Sequence, residues 1–363
     1  MIFIDIKKVT LKDIAQTSGY SLVSVHRALN NKEGVSKEVR QEILNIANQL
    51  GYTTNYVASA LKRRQVNLAV VLPEAEGEGK YYFQYLWKGC KAAEKAVEGY
   101  NLNVIEYSFS VHDDSGSEEQ MEILRNLYDE WKNRLDGILT MPNTNHVQLQ
   151  CLLSQFAGSG VTVTLIDNDF KDSGRFCCIA PNDVYTGRLA AELMNMALKG
   201  RKGTILVAEG EKRSMSHKFN ADGFEEYFKE CNTDITIRRI QEQYSSAANR
   251  EKMLQCLKED DSIIGAYSTR ARSTIPMCEA MIEAGVEEQV FSVGSDLFPE
   301  SADMLNKGIL KAIVYKNPYE KGYRAFNVLF EYLIKGVEPQ SEKISVPISI
   351  ILQNNLKFFK EFI

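Results

Sequence analysis

Two groups of residues in this chain have types and spacings suited to recognition chemistry. The first follows a series of short apolar runs: Tyr82 and Phe83, Asn143, Asp167, Asp183, Tyr267 and Asp296. Carboxylates and amides give bidentate partners to vicinal hydroxyls, and aromatic rings stack on sugar C–H faces. The set therefore suits a small polyhydroxylated ligand. For each Asp or Asn the alternative role is a cap on the helix that follows a parallel strand. The second group is Val23 and Arg27, four residues apart. In a helix whose apolar stripe is Val25, Ala28 and Leu29, these two share the opposite face. Arginine pairs with guanine O6/N7 and an aliphatic group meets a thymine methyl, so this face has the chemistry of a major-groove reader. A generic three-helix bundle without a DNA role is the alternative.

The elements that must position these residues follow from periodicity. Strand-like runs lie at 67–72, 102–107, 137–141, 161–166 and 176–180, and again at 204–208, 235–240, 263–267, 290–293 and 309–314. Most are separated by helical stretches such as 118–132, 184–199 and 247–259. Alternation of this kind predicts two parallel, doubly wound α/β subdomains. In open α/β sheets ligands sit beyond the carboxyl ends of the strands, which is where the first group falls.

Before residue 52 the pattern is helical throughout. Thr10 with Asp13 three residues on, Ser21 and Ser36 are helix-starting signals, and Gly19 and Gly51 are stop signals. Two short helices joined by a three-residue turn with glycine form a helix-turn-helix signature. His26, at the edge of the stripe, either contacts phosphate or fills the helix junction, and the second role is favoured. Charge separates the two regions. Residues 1–65 hold ten Lys/Arg against five Asp/Glu, a net +5 within a chain of net −5, leaving −10 for the rest. A basic head on an acidic body points to a polyanion-binding module joined to something else.

The chain has 363 residues, 44 % hydrophobic and 25 % charged, which is globular composition with room for two or three domains. No apolar run is long enough to span a membrane. The N-terminus lacks the order of charge and apolar stretch of a signal peptide. Seven cysteines without a CxxC pair argue against a disulfide framework or thiolate zinc site. A cytoplasmic location is expected. There is no GxGxxG after the first strand and no GxxxxGK[ST], HExxH or GxSxG. His26, His112, His146 and His217 show no metal spacing. No catalytic residue, metal or cofactor is expected, and the chain is not read as an enzyme.

The segment VTLKDIAQTSGYSLVSVHRALNNKEGVSKEVRQEILNIANQLGYTTNYVASALKRRQ resembles the DNA-binding head of the lactose-repressor (LacI/GalR) family of transcriptional regulators. The resemblance covers about 57 residues. It includes the VTLKDIA opening, the S-x-x-S-V-x-R-A-L-N recognition helix and the G-Y-x-x-N-x-x-A-x-x-L-K hinge. It implies base reading by Leu22, Val23 and Arg27, and DNA contacts from Thr10, Ser21, Ser24, Asn30 and Asn55. It further implies a hinge in which Leu61 wedges into the minor groove beside Ala58, with Lys62 among the flanking cations. Thr54 stands where the family usually has proline, and His26 where it usually has serine.

The body is similar to the family's effector domain, of type I periplasmic-binding-protein fold. The clearest pieces are LDGILTMP, VTVTLIDND, PNDVYTGRLAAELM, ADGFEEYF, VFSVGSD and GILKAIVYKNPYEKGYRA. Family members of this sort bind sugars or sugar-like molecules in a cleft crossed by three chain segments, expected here near 180–183, 314–318 and 336–341. Asn220 occupies a position where the family often has arginine, with His217 or Lys218 as its substitute. Lys316 stands where relatives often place glutamine; both departures point away from the common hexoses and pentoses, and Lys316 suggests a more anionic or oxidised sugar. The expected effector residues are thus Tyr82, Phe83, Asn143, Asp167, Asp183, His217, Asn220, Tyr267, Asp296 and Lys316.

The expected organisation is an N-terminal tail (1–8), a helix-turn-helix domain (9–54), a hinge helix or linker (55–65), and two effector subdomains. These comprise 66–180 with 316–338, and 183–314 with 341–363. The expected function is sequence-specific transcriptional regulation, as a repressor, of carbohydrate metabolism. The partners would be inverted-repeat operator DNA, a sugar or sugar-acid effector and a second copy of the chain, with no membrane. The alternative is a cytoplasmic sugar-binding protein without regulatory DNA binding.

Overall fold

A computed structural model of the chain describes residues 9–29, 33–52, 64–111, 115–131, 133–144, 146–210, 214–241 and 245–359. The chain divides into two compact units, Met1–Arg64 and Gln65–Ile363.

In the first unit, helices α1 (Leu11–Ser18), α2 (Leu22–Leu29) and α3 (Lys37–Gln49) bury Ile14, Val25, Ala28, Ile43 and Ala47. At roughly 1.5–3 kcal/mol per fully buried aliphatic side chain, that is a small core. The local signals therefore matter. Thr10 and Asp13 form a reciprocal capping box, and Gly19 ends α1 in the left-handed region at φ +73°. Ser36 Oγ accepts from the Val39 amide to start α3. Arg40 Nη1 donates to the carbonyls of Arg27 (3.3 Å) and Ala28 (3.2 Å), tying α3 to the end of α2.

The second unit holds two six-stranded sheets. The first comprises β1 (Val66–Pro73), β2 (Leu102–Phe109), β3 (Gly137–Thr140), β4 (Thr162–Ile166), β5 (Cys177–Ala180) and β11 (Lys343–Ser345), in the order β11-β5-β4-β3-β1-β2. The second comprises β6 (Gly203–Ala208), β7 (Ile235–Ile240), β8 (Ile263–Ser268), β9 (Phe291–Ser295), β10 (Ala312–Tyr315) and β12 (Ser349–Ile351), in the order β12-β10-β9-β8-β6-β7. The orders correspond strand for strand, and among the described residues only β12 runs antiparallel to its neighbour. Central strands such as β3 and β8 are buried along their whole length, as parallel strands covered on both faces must be.

One expectation is corrected here. The third crossing lies at 346–348, not 336–341, because Lys343–Ser345 pairs in parallel with Cys178–Ala180 of the first sheet. Gly336 and Pro339 punctuate the sequence as a boundary would, yet Gly336 only ends the π turn Glu331–Lys335. Residues Gly77–Tyr81 form a 3-10 turn after β1.

The helices that follow the crossings change sides. Helix α7 (Asp183–Ala197) leaves β5 but packs in the core of the second sheet, against α8 (Met215–Glu230). Helix α12 (Pro318–Phe330) leaves β10 and packs in the core of the first, against α4 (Phe83–Ala96). Both pairs approach backbone to backbone. A Cβ at Gly322 would strike the Leu86 carbonyl, one at Gly89 the Tyr319 carbonyl, one at Gly187 the Asn220 carbonyl and one at Gly223 the Val184 carbonyl. The contacted atoms are main chain and cannot rotate away.

Gly322→Ala is therefore expected to cost about 1–3 kcal/mol in urea unfolding. Gly158→Ala, at the end of α6 (Val147–Gly158) with nothing within 4 Å, should be neutral or mildly stabilising. Equal effects at the two sites would refute the packing argument.

Candidate functional site

On the helical unit the α2 face forms as the spacing requires. Ser21 Oγ accepts from the Ser24 amide at 3.0 Å, and the two hydroxyls lie 2.9 Å apart. Leu22 is 45 % and Val23 58 % exposed, and Arg27 is exposed beside them. Large aliphatic groups presented to water at a helix start make poor surface and serviceable groove contacts. Thr10 is engaged in its cap, its hydroxyl 2.7 Å from Asp13 Oδ2. His26 is exposed, which corrects the expectation that it fills the helix junction. Asn30, Asn55, Ala58, Leu61 and Lys62 lie outside the described residues.

In the body, a cavity opens between the carboxyl ends of the two sheets. Its wall includes Tyr82, Phe83, Asn143, Asp167, His217, Asp296 and Lys316. Asp167 ends β4 and Asp296 ends β9, the corresponding strand of the other sheet, and both take the left-handed conformation, at φ +61° and +62°. Few non-glycine residues adopt it, and aspartate does so at relatively low cost. Each amide still continues its ladder, Asp167 to the Ile179 carbonyl (3.0 Å) and Asp296 to the Val314 carbonyl (2.9 Å). The chain thus turns sharply while staying attached to the sheet.

Each carboxylate meets a lysine. Lys321 Nζ lies 2.6 Å from Asp167 Oδ1 and also donates to the Tyr82 hydroxyl, which itself donates to Asp167 Oδ2 at 2.7 Å. Lys316 Nζ lies 3.0 Å from Asp296 Oδ2 and donates to the Thr269 carbonyl at 3.1 Å, while its amide donates to Asp296 Oδ1. Both ammonium groups sit over the Tyr82 ring, 5.7 Å (Lys316) and 4.7 Å (Lys321) from its centroid. Burial, then the Asp167 charge, pushes the Tyr82 hydroxyl well above its ordinary pKa, so it stays protonated as a donor. The Asn143 amide nitrogen is buried without a protein partner, while its backbone is held by Gln120 Oε1 at 2.9 Å. The two halves also touch directly, Tyr81 on Phe298 at 4.7 Å and Lys80 on Glu300 at 2.7 Å.

Three expected residues stand off the wall. Tyr267 is fully buried, stacked on Phe224, and donates to Asn220 Oδ1 at 2.8 Å. Both residues thus spend their polar groups on each other behind the cavity. Strand β8 runs one residue past Tyr267, so the side chain belongs to the sheet's core face. Asp183 lies behind Ser216, whose hydroxyl donates to it at 2.7 Å and which itself lines the cavity. Arg270, Arg272, Asn168, Ser214 and Lys321 line the wall unanticipated. They sit in the loop or first helical turn after a strand, one step beyond the positions a strand-end search inspects.

The residues 68–336 match the family described as periplasmic binding protein domain, and residues 10–55 match that described as bacterial regulatory proteins, lacI family. The chain is 23 % identical over 350 residues to the ribose operon repressor of Bacillus subtilis (strain 168), covering 94 % of this chain and 97 % of that one. It is 23 % identical over 248 residues to the HTH-type transcriptional regulator DegA of the same organism, covering 68 % of each. Among solved structures it is similar to GanP, a glucose-galactose binding protein from Geobacillus stearothermophilus. That match has TM-score 0.69 and 22 % identity over 81 % of this chain and 99 % of that one.

Burial is the largest influence on Asp183, raising its pKa from 3.8 to about 6 against the opposing Ser216 hydrogen bond and the charges of Lys316 and Lys321; Asp167 raises it further. Between those values the folded chain holds a proton that the unfolded chain has lost. The stability this proton contributes is fully present below about pH 4 and lost as pH rises through about 6. Asp183→Asn, which keeps the acceptor for Ser216, should remove a pH-dependent term on the order of 1–2 kcal/mol across that window in urea titrations. An unchanged slope would contradict it.

Proposed function

The chain belongs to the family described as periplasmic binding protein domain, and its residues 10–55 match bacterial regulatory proteins, lacI family; on that premise we propose that it is a ligand-controlled, sequence-specific transcriptional regulator of carbohydrate metabolism genes. The observation that carries the reading is the joining of two features in one chain. A helix-turn-helix unit exposes Val23 and Arg27, and an α/β body gathers Asp167, Asp296, Tyr82 and Asn143 around a cavity. A solute-binding protein would use the body and leave the basic unit without a role.

In this reading Leu22, Val23 and Arg27 read base edges, Thr10, Ser21, Ser24 and Asn30 support the phosphate contacts, and the 55–65 segment adds Leu61 at the minor groove. The protein acts as a cytoplasmic homodimer on an inverted repeat, because two heads related by a two-fold axis demand two half-sites. Repression is the expected sign, with a sugar-like molecule as effector. The effector would be held by Tyr82, Phe83, Asn143, Asp167, His217, Asp296 and Lys316, with Asp183 acting through Ser216. A ligand spanning both halves favours the closed cleft and shifts DNA affinity by its differential affinity for the two states.

Selection of binding sequences from a random duplex pool, followed by titration of variants, tests this. Arg27→Ala is expected to lose about 1–3 kcal/mol of specific affinity and relax one base position. Leu61→Ala should weaken operator binding severely while leaving the melting temperature and dimerisation unchanged. Recovery of no enriched sequence, or unaltered affinity in both variants, would overturn the assignment.

A further inference from the structure

One hydrophobic cluster of the body belongs to neither sheet's own core. Tyr81, Tyr82, Tyr85 and Tyr319 from the first half meet Ala271, Ile275 and Phe298 from the second. Phe298 is 0 % and Tyr85 2 % exposed, so the meeting of the halves is what removes these rings from water. Tyr81, Tyr82 and Ala271 also line the cavity, which places the cluster along one side of it. At its edge Lys80 and Glu300 pair at 2.7 Å, both partly exposed.

Both faces of this contact are preformed. Gly77–Tyr81 is a 3-10 turn in which a Cβ on Gly79 would lie 2.1 Å from the Glu74 carbonyl, so the turn is folded tightly onto the end of β1. Tyr82, next in the chain, is held by Asp167 and Lys321. Opposite, Phe298 starts the helix Pro299–Asn306, its amide donating to Ser301 Oγ at 3.0 Å. Parting the halves would return the rings to water, and a single aromatic side chain buries roughly 150–250 Å². Every group in the contact belongs to the chain itself, so opening carries this cost whatever the cavity holds.

Resting on the effector-site reading above, we infer that Tyr81, Tyr85 and Phe298 latch the cleft shut and thereby govern how fast the effector enters and leaves. The closed form is the resting form, and the effector passes only through the less populated open one. Weakening the latch therefore speeds entry and escape together, whereas losing a direct ligand contact speeds escape alone.

Two native cysteines allow a direct test. Cys151 in the first half and Cys231 in the second are exposed, and the others are buried. Spin labels on this pair report the separation of the halves by electron–electron double resonance, with labelled chain diluted into unlabelled so that one pair is read at a time. Without sugar the unsubstituted chain should give one narrow distance band, and Tyr81→Ala and Phe298→Ala a longer, broader one. Lys80→Glu, at an exposed position off the cavity wall, should lengthen it too, and adding Glu300→Lys should bring it back; this pair decides the matter should Phe298→Ala lower the melting temperature. In stopped-flow mixing with D-ribose, D-glucose and D-galactose, association and dissociation should both quicken about threefold or more in Lys80→Glu. A band unmoved in all three single variants would overturn the latch whatever the sugars do. Faster dissociation alone would overturn its control of entry and leave the effector site standing. Silence from every sugar while the band shifts as stated would overturn the effector-site reading and leave the latch.

Discussion

An ammonium group with none of its side chain exposed sets the conditions for the rest of the body. Removing a charge from water costs several kcal/mol, and Lys321 is tolerable only because Asp167 lies 2.6 Å away and the Tyr82 hydroxyl accepts from it. Asp167 can be there only because β4 ends in a left-handed turn. Lys321 can be there only because α12 is pressed onto α4 by backbone contact at Gly322 and Gly89. Strand end, aromatic, crossing helix and glycine contact are thus parts of one arrangement, and the cavity is the space it leaves.

The same arrangement occurs twice. Asp296 stands to β9 as Asp167 stands to β4, with matching positive φ and matching amide ladders to β10 and β5. Asn182 starts α7 and Asn317 starts α12, each accepting from the amide three residues on. The copies differ where recognition demands it. Lys321 lies in the first helical turn of α12, while the corresponding place in α7 is Thr186, a small buried hydroxyl. The second half instead brings Arg270 and Arg272 to the cavity from the N-cap and first turn of the helix Ala271–Ala284. An internally repeated scaffold therefore presents an asymmetric wall.

Much of this was legible in the sequence. Ten strands were readable because alternating apolar runs and helical stretches leave little doubt about period, and Asp167 and Asp296 follow from where such strands end. Lys343–Ser345 and Ser349–Ile351 were not, since three residues are too few to show alternation. Tyr267 was misplaced because strand-end proximity says nothing about which face a side chain takes, and Asn220 because a family position does not reveal that its side chain is engaged by Tyr267. Lys321 escaped because a buried charge is visible only through its partner, and Asp167 lies 154 residues away in the chain; Arg270 and Arg272 lie just past the end of β8.

The exchange of crossing helices also bears on how the chain is made. The first sheet begins at Val66, yet the helix that covers one of its faces starts at Pro318, about 250 residues later. At roughly 5–20 residues per second of synthesis, that face waits on the order of 10–50 s for its cover. Leu68, Val70 and Leu72, which pack beneath α12, have to be shielded during that interval by contacts other than the native ones. A truncation before residue 318 therefore uncovers part of the apolar face of the first sheet rather than releasing a stable half.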